Sequence, residues 1–167
     1  MKYLQHKGQR VGVFIDVQNL YYSARELYHT KVNFKVVLDE AVGNRKLVRA
    51  FAYVIKADVK DEENFFEALE KMGIEVRAKE LKIFFGGAKK GDWDVGIAMD
   101  IMKMARKLDT IVLVSGDGDF VDLIKYVKSL GCRTEIMAFQ KTTSNRLMEE
   151  SEMFTDLGES KFVFGKI

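Results

Sequence analysis

Apolar residues follow two alternating patterns along the chain. Short continuous apolar runs, of which 110–114 (TIVLV) is the clearest, are typical of strands buried on both faces of a sheet. Between these runs, apolar residues recur at the spacing of an amphipathic helix. The alternation predicts strands over 10–17, 46–55, 74–82, 110–114 and 133–139, and helices over 18–28, 34–42, 61–72, 92–108, 120–130 and 143–153.

The order of these elements predicts an α/β fold. Regular alternation of strands and helices implies a mainly parallel sheet, right-handed crossovers and helices on both faces. Segment 74–82 alternates apolar with charged residues, so we expect it near a sheet edge with one face in water. Segment 84–91 is predicted as a loop, and the tail 161–167 either adds an edge strand or is loose. No repeat or linker interrupts the pattern, which predicts a single domain over 1–167.

Composition narrows the functional classes. The chain has 167 residues, of which 47% are hydrophobic and 31% charged, as in soluble globular proteins. No apolar run is long enough to cross a membrane, and the first ten residues lack the apolar core of a secretion signal. We therefore expect a cytoplasmic protein without a membrane partner. Cys132 is the single cysteine, which excludes an intramolecular disulfide, and we interpret it as a buried structural thiol.

Carboxylates follow the predicted strands. Asp16 ends the first strand, Asp117 and Asp119 lie in the turn 115–120 (SGDGDF) after the strand 110–114, and Asp94 begins the long helix. Open α/β sheets bind their ligands at the carboxyl edge of the strands. Carboxylates that converge there repel one another unless a cation or a proton lies between them. The pattern predicts a Mg²⁺ or Mn²⁺ site, and hence chemistry on phosphate esters.

Other roles are open for individual residues of this group. Asp16 could cap the helix that follows it, and Asp92 is predicted as the N-cap of the helix 92–108. Asp100 lies six positions after Asp94 and therefore on another face of that helix; it could contact the site or pair with a lysine in the core. Asn19, one turn after Asp16, could orient that carboxylate or bind a phosphate.

Basic and aromatic residues precede the Asp94 helix. Lys89 and Lys90 lie in a glycine-rich stretch, and we expect Lys90 in particular to contact substrate. Phe84, Phe85 and Trp93 are close in sequence and could stack a nucleobase. The alternative is a solvated loop with core aromatics, which is favoured for Phe84 and Phe85.

Three segments resemble the NYN domain family, the LabA-like branch of the PIN-like nucleases. They are 14–20 (FIDVQNL), 90–100 (KGDWDVGIAMD) and 115–120, in that order along the chain. Segments 144–147 and 153–157 are similar to the closing helix and strand of the family. The resemblance covers about 10–157. One departure is Ser151-Glu152, where the family often has Ala-Asp, at a position peripheral to the pocket.

The resemblance implies a Rossmann-like three-layer α/β/α fold and a metal-dependent endoribonuclease whose acidic pocket binds Mg²⁺ or Mn²⁺. It implies metal ligation by the principal acids Asp16, Asp94 and Asp117. It gives Asp119 the role of a further ligand or water-orienting group, and Asn19 and Ser115 the role of supporting polar groups.

The sequence predicts a metal-dependent ribonuclease acting on RNA. One alternative is a non-catalytic RNA- or protein-binding regulatory module with the same fold. Another is a phosphatase or phosphotransferase, for which the pair Asp117 and Asp119 has the required spacing. That pair comes late in the chain, and no such pair follows the first strand, which disfavours the second alternative. A homodimer is left open.

Overall fold

The computed structural model describes residues 5–83, 85–86, 89–90 and 92–165, with residues 83, 89 and 90 described by their backbone. In chain order, the strands in this part are β1 (Arg10–Asp16), β2 (Lys46–Lys56), β3 (Glu75–Glu80), β4 (Lys82–Ile83), β5 (Lys89–Lys90), β6 (Thr110–Val114), β7 (Arg133–Ala138) and β8 (Met153–Asp156). The α-helices are α1 (Val17–Tyr28), α2 (Phe34–Val42), α3 (Glu62–Lys71), α4 (Asp94–Met104), α5 (Val121–Ser129) and α6 (Asn145–Glu150).

Six of the strands form one parallel sheet in the order β3-β2-β1-β6-β7-β8. From β1 the chain builds outward through β2 to β3, then returns to add β6 on the other side of β1. The strand order therefore reverses between β1 and β6, and the carboxyl ends of these two strands flank the crevice where open α/β sheets bind ligands.

Helices cover both faces of the sheet. Along β1, Val11, Val13 and Ile15 pack in the core that contains residues of α1, α2 and α3, while Phe14 packs in the core that contains residues of α4, α5 and α6. Successive strand residues point to opposite faces, so this alternation places the sheet between two helical layers. The predicted three-layer α/β/α fold is confirmed.

Several boundaries differ from the sequence prediction. The predicted strand 74–82 divides into the edge strand β3 and the short β4, which pairs antiparallel with β5 in a separate hairpin. A 3₁₀ helix (Gly118–Phe120) precedes α5, and β8 forms the opposite edge of the sheet. In the tail, Ser160–Phe162 is a 3₁₀ helix and Val163 forms an isolated antiparallel bridge with Val32. The described part of the tail is thus tied to the fold without adding a strand.

The helix predicted over 92–108 begins later than expected. Trp93 is the N-cap of α4, and Asp92, one residue earlier, accepts a hydrogen bond from the backbone N–H of Asp94 at 3.3 Å. The predicted N-cap role of Asp92 is therefore wrong. The final turn, Ala105–Lys107, tightens to a 3₁₀ helix.

Candidate functional site

The turn after β6 is fixed by close packing against the segment after β7. A Cβ atom on Gly116 would lie 2.6 Å from Oγ1 and 3.1 Å from Cα of Thr143. A Cβ atom on Gly118 would lie 2.9 Å from Cβ of Ser144, whose backbone N–H donates to the Gly116 carbonyl at 3.1 Å. The two glycines therefore allow an approach that no larger residue permits, and this approach sets the direction of the turn.

Asp16 lies buried at the end of β1, with 6% of its surface exposed. Its Oδ1 accepts from the backbone N–H of Asn19 at 3.3 Å, which makes it the N-cap of α1, and its Oδ2 accepts from Oγ of Ser115 at 3.0 Å. Burial raises the pKa of Asp16 to about 6, although the hydrogen bonds from Asn19 and Ser115 favour the charged form. Helix capping and a place in the acidic site are thus compatible for this residue.

Asn19 and Ser115 connect the ends of β1 and β6. Oδ1 of Asn19 accepts from the backbone N–H of Gly116 at 3.0 Å. Oγ of Ser115 donates to Asp16 and accepts from the backbone N–H of Asp117 at 3.3 Å. These bonds cross-link the two strand ends, and a supporting role of Asn19 and Ser115 in catalysis stays a prediction.

Asp94, Asp117 and Asp119 form a tight cluster of carboxylates. Each offers one oxygen, and the three oxygens lie within 4.8 Å of one another. Asp117 and Asp94 are half-buried, whereas Asp119 is exposed and donates its backbone N–H to Oδ1 of Asp117 at 2.9 Å. Burial, then the charges of Asp117 and Asp16, raise the pKa of Asp94 to about 7. A cluster of this kind holds a proton or a cation near neutral pH.

The donor set fits a hard divalent cation. Mg²⁺ and Mn²⁺ favour carboxylate oxygens and retain several waters, and a small group of acids at an open pocket meets both needs. An open pocket of about 320 Å³ adjoins the cluster, and we call it the acidic pocket. It is lined by Asp16, Gln18, Asn19, Tyr22, Asp92, Asp94 and Asp117.

Asp16 borders this pocket without belonging to the group of three oxygens. The structure brings Asp94, Asp117 and Asp119 closest together, and Asp16 approaches them from the end of β1. Sequence reasoning missed Gln18 and Tyr22 as pocket residues. The helical spacing could have found them. Gln18 and Tyr22 are four residues apart and share one face of the helix after Asp16, and the predicted site residue Asn19 lies next to that face.

Trp93 anchors the start of α4. Its Nε1 donates to the backbone carbonyl of Val54 at 2.8 Å, its ring lies 5.3 Å from that of Tyr53, and Nζ of Lys79 lies 4.1 Å from its ring centroid. These contacts fix the half-buried ring at the start of α4, next to Asp94, and stacking of a base on Trp93 stays a prediction.

The structure describes the side chains of only some residues in the predicted substrate loop. Phe85 is fully exposed, so its interpretation as a core aromatic is wrong. Phe84 and the side chains of Lys89 and Lys90 lie outside the described residues. Contact of Lys89 and Lys90 with substrate stays a prediction.

Asp100 and Cys132 lie away from the acidic pocket. Oδ2 of Asp100 accepts from the hydroxyl of Tyr53 at 2.9 Å and lies 3.3 Å from Nε of Arg77. Asp100 therefore neither lines the acidic pocket nor pairs with a lysine; its ionic partner is an arginine on the edge strand β3. Cys132 is buried just before β7, and burial raises the pKa of its thiol to about 11, as expected of a structural cysteine.

Comparison with known proteins places this site in a family. Residues 10–158 match the NYN domain. The chain belongs to the NYN domain family. This match confirms the resemblance seen in the sequence. The NYN domain family is part of a nuclease superfamily.

Two proteins are similar to this NYN domain over most of their length. The "Low amplitude and bright protein LabA" of Synechococcus elongatus is 28% identical over 162 residues, which cover 92% of this chain and 86% of that protein. The crystal structure of a protein of unknown function from Vibrio parahaemolyticus superposes with a TM-score of 0.88 at 29% identity, covering 96% of this chain and 99% of that one. Within the described residues, no helix of this NYN domain has the length and hydrophobicity to cross a lipid bilayer.

Proposed function

We propose that this NYN domain hydrolyses RNA phosphodiester bonds with the help of a divalent cation, Mg²⁺ or Mn²⁺. The observation that carries the proposal is the group of three carboxylate oxygens, from Asp94, Asp117 and Asp119, within 4.8 Å of one another at the point where the strand order reverses. These three residues would hold the cation. We retain Asp16 as the fourth acid, because each of its oxygens accepts one hydrogen bond, from Asn19 or from Ser115, and keeps a further lone pair.

A bound divalent cation lowers the pKa of a coordinated water and stabilises negative charge on a scissile phosphate. The side chains around the cation bind and orient the phosphate. Asn19 has its Oδ1 held by the Gly116 N–H, so the orientation of its amide group is fixed. That orientation leaves the Nδ2 donors of Asn19, for which the described residues show no acceptor, available for a phosphate oxygen. We further propose that Lys90 and Lys89 contact the RNA backbone, and that the protein acts in the cytoplasm.

Asp117→Asn tests the proposal against a matched control. Asparagine keeps the oxygen that accepts from the Asp119 N–H, so the turn should persist while the negative charge is lost. The control is Asp122→Asn, the same change at an exposed position of α5. With Mn²⁺ and single-stranded RNA, we expect cleavage by the wild type and by the control, and a loss of at least about 100-fold in the Asp117 variant, the scale of removing one electrostatic stabiliser.

Two outcomes would contradict hydrolysis at this site. Equal cleavage by the wild type and Asp117→Asn would show that cleavage does not depend on the carboxylate of Asp117. Mn²⁺ binding without cleavage of any RNA tested would favour the non-catalytic binding module. A phosphoenzyme trapped on Asp117 would instead support the phosphotransferase alternative.

A further inference from the structure

Tyr22 is an aromatic residue on the wall of the acidic pocket. It lies on α1, six residues after Asp16, and 66% of its surface is exposed. Within the described part of the chain, its hydroxyl has no hydrogen-bond partner and its ring stacks on no other ring and no cation. Single exposed aromatics are common on protein surfaces. This one differs because it lines the same pocket as Asp94 and Asp117.

The face of α1 toward the acidic pocket has a distinctive chemistry. Gln18 and Tyr22 are four residues apart and so share a face, with Asn19 beside them, and all three line the pocket. This wall therefore offers two amides and one aromatic ring, whereas the acids lie at the strand ends and at the start of α4. Aromatic rings that stack bases and amides that bond to base edges are the groups with which proteins recognise unpaired nucleotides.

Electrostatics explain why such a wall would be useful. The carboxylates of Asp16, Asp94 and Asp117 repel a phosphodiester until a cation offsets their charge. Binding of RNA at this position gains from an attraction that does not depend on charge. Stacking between a base and an aromatic side chain is such an attraction, and it tolerates any base because every base has a π-face.

We propose that Tyr22 is a substrate-binding residue that stacks a nucleobase of RNA next to the acidic pocket. The inference rests on the proposed function, since it names the residue that holds a base of the RNA beside that site. The stacked base must be unpaired, because the bases of a duplex already stack on each other and are closed to a side chain. The contribution of Tyr22 is therefore expected with single-stranded RNA and not with a duplex of the same sequence.

The test compares Tyr22→Ala with Tyr21→Ala and Tyr22→Phe. Tyr21 is the matched control, because it is the next residue of the same helix, is 57% exposed and does not line the pocket. Binding is measured with a fluorescently labelled single-stranded RNA that carries 2-aminopurine, in an Asp117→Asn background that prevents cleavage. The stacked probe loses fluorescence, which reports the contact itself. Cleavage is measured separately with Mn²⁺ in the otherwise native chain.

Tyr22→Ala is expected to weaken binding of single-stranded RNA about 5- to 150-fold and to abolish the quenching. Tyr21→Ala should bind and quench as the unsubstituted chain does, and Tyr22→Phe should retain most of the affinity because the ring remains. Equal affinities for Tyr22→Ala and Tyr21→Ala, or no binding of single-stranded RNA at all, would overturn the proposal. Thermal unfolding of each variant identifies a loss that comes from misfolding, and Tyr22→Leu, which keeps an apolar side chain without a π-face, then replaces Tyr22→Ala as the deciding variant.

The outcomes separate this inference from the proposed function. Binding that depends on Tyr22 without cleavage in Mn²⁺ would support stacking and contradict hydrolysis. Cleavage that is unchanged in Tyr22→Ala would support hydrolysis and contradict stacking.

Discussion

Replacing Asp94 with asparagine should stabilise the metal-free protein at pH 8. Burial, followed by the charges of Asp117 and Asp16, raises the pKa of Asp94 from 3.8 to about 7. For an acid whose pKa is raised by folding, the stabilising contribution is fully present below the unfolded pKa and is lost as the pH rises through the folded pKa. At pH 8 the charged Asp94 therefore opposes folding, and asparagine removes that opposition.

The magnitude follows from the shift and the exposure of the residue. A rise of the pKa from 3.8 to about 7 corresponds to about 4 kcal/mol, and solvent screening of the half-buried side chain reduces this to about 2 kcal/mol. Asp94 is also the first residue of α4, where a carboxylate gains about 0.3–1 kcal/mol from the helix dipole, and asparagine forfeits this gain. The net expectation is a stabilisation of about 1 kcal/mol, or a rise of about 2–4 °C in Tm.

Urea denaturation in the presence of a chelator measures this effect. The wild type should gain stability as the pH falls from 8 to 5, and Asp94→Asn should show a flatter pH profile. Added Mn²⁺ should stabilise the wild type more than the variant, because binding to the folded state alone raises stability by mass action. Asp122→Asn is again the control. A metal-free Asp94→Asn that is less stable than the wild type at pH 8 would refute the account of mutual repulsion.

Two further substitutions test the surroundings of the site and the core. Gly96→Ala should destabilise the fold by about 1–3 kcal/mol and weaken Mn²⁺ binding, although alanine favours a helix by about 1 kcal/mol, because the new Cβ would lie 2.4 Å from Cε3 of Trp93. Thermal unfolding and Mn²⁺ titration measure both effects, and a more stable variant would contradict the packing. Glu135→Ala should cost about 3–5 kcal/mol in urea denaturation, since it leaves the buried guanidinium group of Arg45 without its carboxylate partner at 2.8 Å and leaves Arg133 only the more distant Glu152, at 3.9 Å. A loss below about 1 kcal/mol would show that these groups reach solvent.

The sequence pattern predicted those elements whose bounds depend on residues close to one another in the chain. The strand Thr110–Val114 and the helix Phe34–Val42 have the predicted bounds, since a continuous apolar run and the helical spacing of apolar residues are signals within a few residues. The meeting of Asp16 with the turn after β6 followed from the rule that parallel strands end at one edge. These predictions required no knowledge of the side chains on other elements.

Both alternatives for Asp100 were wrong, and other contacts between residues far apart along the chain were not predicted. The ionic partner of Asp100 is Arg77, on an edge strand whose position becomes known only when the sheet is assembled. The ion pair between Arg45 and Glu135 joins residues 90 positions apart. The exposure of Tyr22 likewise depends on which face of α1 the sheet covers, and the spacing of residues in a single helix does not fix that.

If the acids at the ends of β1 and β6 and the start of α4 form one cation site, Mn²⁺ should bind there. A crystal structure of the protein with Mn²⁺, with anomalous diffraction recorded for the metal, would show this. We expect an anomalous peak among the carboxylate oxygens of Asp94, Asp117 and Asp119, at about 2.1 Å from its ligands and close to Asp16. Crystals at saturating Mn²⁺ without a peak there, with the three side chains turned apart, would contradict it.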